Sequence, residues 1–84
     1  MTKKNKVKKI IKLIFPQHLI KEPITFKVAL KCEVVPNIRR AKVTETVGEL
    51  VLELEGEQKN IDKAIKLFKK YGVEVELIEG DFLD

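Results

Sequence analysis

Two hydrophobic periods meet in the run Gly48 to Ile78, GELVLELEGEQKNIDKAIKLFKKYGVEVELI. Leu50, Leu52 and Leu54 alternate with Glu49, Val51, Glu53 and Glu55, the period of two expected of a strand with one buried face. After a turn at Gly56 the spacing changes to three and four residues. Ile61, Ala64, Ile65, Phe68 and Tyr71 form one stripe of a helix, with Lys63, Lys66, Lys69 and Lys70 opposite. Gly72 is placed to end that helix, and Val73, Val75 and Leu77 then alternate with Glu74 and Glu76 as a second strand.

The first half repeats the order. Val7 to Phe15 reads as a strand with Ile11, Leu13 and Phe15 on one face and Ile10, Lys12 and Ile14 on the other, ended by Pro16. Residues 17–22 are a connector. Pro23 suits the first turn of a helix, where its missing N–H costs nothing. That helix is expected to reach about Val34, burying Ile24, Val28, Ala29 and Cys32. Val35 to Thr46 carries Pro36, Arg39, Arg40 and Lys42, the mark of an edge strand. Thr46, Val47 and Gly48 turn it into the third strand as a hairpin.

The order βαββαβ, with two right-handed crossovers, predicts an α+β, ferredoxin-like domain. Its antiparallel sheet has strand order 4-1-3-2, with both helices on one face. Residues 1–6 are expected to be a basic tail, 7–79 the single domain and 80–84 a C-terminal tail. On the face without helices the alternation places Ile10, Ile14, Val51 and Ile78, a candidate partner surface for a symmetric dimer.

Charge adds a second layer. Residues 1–42 hold twelve Lys or Arg against two Glu (+10), and residues 43–84 five Lys against eleven Asp or Glu (−6), for a net +4. The topology sets the basic first strand between acidic strands three and four, so Lys8 or Lys12 can face Glu49, Glu53, Glu74 or Glu76. The tail lysines and the Arg39, Arg40, Lys42 patch are left over.

Composition excludes several functions. No stretch approaches the roughly 20 apolar residues of a membrane span, and the start lacks a signal-peptide pattern, so the expected location is cytoplasmic. Cys32 is the one cysteine and His18 the one histidine, too few ligands for a metal or iron–sulfur site, and no cofactor is expected. There is no phosphate-loop motif and no catalytic spacing, so the chain is expected to be no enzyme. Nucleic-acid binding by base stacking is disfavoured, because Phe15, the aromatic of the central strands, points inward. The basic N-terminal segment could make only weak, salt-sensitive phosphate contacts.

Several pieces, taken in order, resemble the NIL domain found at the C-terminus of the ATPase subunit of bacterial methionine importers. They are Ile11-Lys12-Leu13-Ile14-Phe15, Pro23-Ile24, Val34-Val35-Pro36-Asn37-Ile38, Gly48-Glu49-Leu50, Gly56, Ala64-Ile65 and Gly72-Val73-Glu74-Val75-Glu76-Leu77, within about residues 11–78. The resemblance implies a regulatory module whose paired domains bind methionine near their interface and hold the transporter inactive. It implies ligand binding at Asn37, with Ile38, Arg39 and Arg40 as neighbours. It also implies a transporter or sulfur-metabolism protein as partner. A neutral amide can donate to a carboxylate and accept from an ammonium, and so read an amino acid. The chain departs from the family pattern in three places. Arg39 stands where the signature has an aliphatic residue, Pro16 stands where a glycine is expected, and the loop at Thr46 and Val47 is short. The two arginines would favour a more acidic ligand or protein partner through bidentate contacts, or serve as charged protection of an edge strand. The chain is expected to be a free-standing module of this kind, with a protein–protein interaction accessory module that binds no ligand as the alternative.

Overall fold

A computed structural model describes residues 6–78. Of the expected tails, 1–6 and 80–84, all but the exposed Lys6 lie outside the described residues, as does residue 79 of the expected domain. The elements are β1 (Val7–Pro16), a 3-10 turn (Gln17–Leu19), α1 (Ile24–Cys32), β2 (Val35–Val43), β3 (Val47–Gly56), α2 (Gln58–Tyr71) and β4 (Glu74–Ile78). They form one antiparallel sheet in the order β2-β3-β1-β4. This is the expected ferredoxin-like α+β arrangement, with strand order 4-1-3-2 read from the other edge.

The alternation decides what is buried. Ile11 and Leu13 of β1 and Leu52 and Leu54 of β3 are at most 1% exposed, and meet Ile24 and Val28 of α1 and Ile61, Ala64 and Phe68 of α2. Each of these side chains larger than the Ala64 methyl contributes about 1.5–3 kcal/mol by leaving water.

The ends of the elements correct the sequence reading. α1 stops at Cys32, two residues short of Val34, because Glu33 turns into the left-handed region (φ 57°) and its N–H bonds to Ala29 O. Val34 is thereby freed to enter the core at 4% exposure. Gly48 and Gly56 lie in β3, opposite Phe15 and Val7, rather than in turns. The hairpin turn spans residues 44–46, where the Thr44 hydroxyl bonds Val47 O at 3.1 Å and accepts from Val47 N at 3.1 Å. At Gly56 a Cβ would stand 3.1 Å from Val34 Cγ1, so glycine is what lets β3 pass the end of α1 this closely.

Gly72 does end α2, at φ 100°. The Gly72 N–H bonds to Lys69 O and the Val73 N–H to Phe68 O, both at 3.0 Å, the paired bonds of a Schellman ending. Leu77, expected inside, is 58% exposed. It faces the helix side of the edge strand β4, which the helices cover incompletely. No helix among the described residues is long and apolar enough to cross a membrane.

Candidate functional site

Strand pairing arranges the helix-free face as three rows that run straight across the sheet. Asn37, Glu53, Ile10 and Ile78 form the first. Arg40, Val51, Lys12 and Glu76 form the second, and Lys42, Glu49, Ile14 and Glu74 the third. Val51 is the best covered of these at 8% exposure, whereas Ile10, Ile14 and Ile78 are half-buried. Ile10 and Ile78 are direct partners. Ile14 and Val51 are separated from them by Lys12 and Glu53, so the face is a mosaic of apolar and charged positions. Lys12 reaches Glu49 at 3.9 Å with both side chains about one-third exposed, a pairing of the kind the charge pattern anticipated.

Asn37 and its neighbours do not converge. Asn37 is exposed on the helix-free face opposite Glu53, and Ile38 points to the helix side at 58% exposure. Between Ile38 and Arg40 the register slips by one residue. Arg39 is the extra residue of this bulge, and it sets Arg39 and Arg40 together opposite Val51. The half-buried Arg39 and exposed Arg40 each engage in an interaction of their own.

Sequence reasoning missed the concavities. One of about 330 Å³ lies between the start of α1 and the β2–β3 hairpin, lined by Phe15, Ile24, Phe26, Val43 and Leu50 together with Glu22. Its volume is within the range of small-molecule sites. It opens at Val43, six residues along β2 from Asn37, about 20 Å at the rise of a strand. The exposure of Phe26, 64%, and Val43, 65%, was the missed consequence of an edge strand that α1 leaves uncovered. A second hollow of similar size is lined by Lys31, Cys32, Lys63, Lys66, Leu67 and Lys70. There burial pushes the Cys32 thiol up, opposed by the nearby charges of Lys63 and Lys31. No group of three or more His, Cys, Asp or Glu side chains that could hold a metal occurs among the described residues.

The profile of the NIL domain family matches residues 9–77. Among solved structures, the C-terminal domain of an ABC transporter ATP-binding protein from Enterococcus faecalis is similar to this chain at 31% identity and a TM-score of 0.77. The match covers 87% of this chain and 86% of that one. A de novo designed protein, Foldit4, shares the fold at 9% identity and a TM-score of 0.58, over 88% and 94% of the two chains. Comparison with curated proteins gives no significant match.

Proposed function

The chain belongs to the NIL domain family, and from that premise we propose that it is a small, non-catalytic regulatory module of the cytoplasm that pairs with itself and binds an amino acid or related sulfur metabolite. The observation that carries this reading is the family match over residues 9–77, joined by likeness to the C-terminal domain of a transporter ATP-binding protein. The partner it would regulate is a transporter or a sulfur-metabolism protein.

Asn37 is the ligand-reading group in this proposal, with Ile38, Arg39 and Arg40 around it. Its exposed position supports a site completed by a second copy, since an amide on an open strand holds a small molecule poorly by itself. Ile10, Ile14, Val51 and Ile78 supply the apolar part of the pairing face. The wild-type chain and Asn37→Ala would be titrated calorimetrically with methionine, homocysteine and cysteine. The proposal expects heat with one of them and at least tenfold weaker binding by the variant. No heat with any of the three in a folded dimer rejects sensing. A monomeric mass by light scattering, unaltered by Val51→Lys, rejects the pairing.

A further inference from the structure

We propose that the two edges of the sheet, β2 and β4, which pair with no further strand among the described residues, fit each other, so that copies of this chain associate head to tail with β4 of one against β2 of the next. The backbone directions allow it. β2 is antiparallel to β3, β3 to β1, and β1 to β4, so β2 and β4 run in opposite directions at opposite edges. A copy displaced sideways across the strands, by about four strand spacings or 19 Å, therefore brings its β4 antiparallel to the waiting β2. The sheet continues, with all helices on the same side.

The side chains match in the same placement. On the helix-free face, the second row ends in Arg40 at β2 and Glu76 at β4, and the third in Lys42 and Glu74. Setting Arg40 opposite Glu76 of the next copy also sets Lys42 opposite its Glu74 and Ala41 opposite its Val75. These two rows then continue with opposite charges across the junction, while the first ends in the uncharged Asn37 and Ile78. On the helix side Val75 and Leu77 come beside Ile38, Ala41 and Val43, and Leu77, Ile38 and Val43 are 58–65% exposed in the single copy. Charged residues on an edge strand ordinarily discourage pairing. Here the repulsion operates only between like edges: β2 against β2 opposes Arg40 and Lys42 to each other, and β4 against β4 opposes Glu74 and Glu76. The contact is heterologous, so it builds an open chain rather than a closed dimer. It involves no ligand and does not depend on the sensing reading.

Sedimentation velocity over a wide concentration range, without ligand and at low and high ionic strength, tests this. The wild type is expected to show a mass that keeps rising beyond two copies at low salt and falls back at high salt. Arg40→Glu with Lys42→Glu, and separately Glu74→Lys with Glu76→Lys, are each expected to abolish the rise. All four positions are exposed, and circular dichroism confirms that each variant folds. An equimolar mixture of the two variants restores opposite charges at every junction and is expected to restore assembly. A wild-type mass that stops at one or two copies overturns the proposal. So does assembly that survives either double variant, or a mixture that fails to assemble.

Discussion

Both helices end on a left-handed residue, but one is Glu33 at φ 57° and the other Gly72 at φ 100°. A side chain in that region costs about 1–2 kcal/mol, whereas introducing glycine returns about 0.4–1 kcal/mol of entropy to the unfolded chain. Glu33→Gly should therefore stabilise the fold by about 0.5–1 kcal/mol. It also removes a carboxylate from the negative end of the α1 dipole, a separate gain of about 0.3 kcal/mol at an exposed position. Glu33→Gln isolates that second effect, because it keeps the side chain and drops the charge. Gly72→Ala should go the other way by about 1 kcal/mol, since alanine must accept the left-handed geometry although its Cβ meets only Leu19 Cδ1 at 3.4 Å. Urea unfolding followed by circular dichroism reads these differences. With a slope of about 1–1.5 kcal/mol/M for so small a domain, the midpoints should move by about 0.5 M up and about 1 M down. Protein concentration must be held fixed, because self-association would shift every midpoint. Glu33→Gly no more stable than Glu33→Gln would refute the backbone argument.

Phe68→Ala removes a ring that is 1% exposed, a change that costs about 3–5 kcal/mol. A chain of 84 residues has about 4–13 kcal/mol in total, so thermal melting should show most of the stability gone, whereas Tyr71→Ala, 36% exposed at the end of the same apolar stripe, should lower the melting temperature clearly less. For Cys32 the folded value lies above the ordinary 9.0. The neutral thiol's contribution to stability is thus complete below pH 9.0 and is lost as pH rises through the folded value. Wild type should lose more stability above pH 9.0 than Cys32→Ala does, and an equal loss in urea midpoints would contradict a buried thiol.

Periodicity made the architecture legible because each strand and helix has one buried face and one wet one. Leu50-Leu52-Leu54 and Ile61-Ala64-Phe68 leave little freedom of period, and Gly72 marks its own role. What escaped were places where the chain spends one residue outside a regular element. Glu33 has no sequence signature as a helix end, and nothing in the local pattern stops α1 short of Val34. The bulge at Arg39 had a faint signal. Ile38 and Ala41 share the helix side at a spacing of three, an odd number that uninterrupted alternation cannot give. Reading strand two as regular would put Arg39 and Arg40 on opposite faces. Asn37 was singled out by resemblance alone, and the concavity at Phe26 and Val43 arises from where α1 sits relative to β2, a tertiary relation that no local pattern encodes.

The fold interleaves the basic and acidic halves of the chain, as the strand order implies, so charge is distributed by layer rather than along the sequence. Counted by layer, the strands carry six cations (Lys8, Lys9, Lys12, Arg39, Arg40 and Lys42) against five glutamates (Glu49, Glu53, Glu55, Glu74 and Glu76), a net +1. The helices carry seven lysines against Asp62, a net +6, and Asp62 already accepts a 2.9 Å hydrogen bond from Gln58. The positive excess of the described domain is thus on the helix layer. Lys59, Lys63, Lys66 and Lys70 follow the i, i+4, i+7, i+11 stripe on the solvent side of α2. Two copies meeting helix to helix would oppose these stripes at close range, where like charges repel. Meeting through the helix-free face turns the lysine layers away from each other, and meeting edge to edge keeps them side by side, facing solvent. The same distribution leaves the sheet layer near-neutral as a whole, with a cationic β2 edge and an anionic β4 edge that offset each other, and concentrates the positive excess on the helix layer, which faces water or an anionic partner.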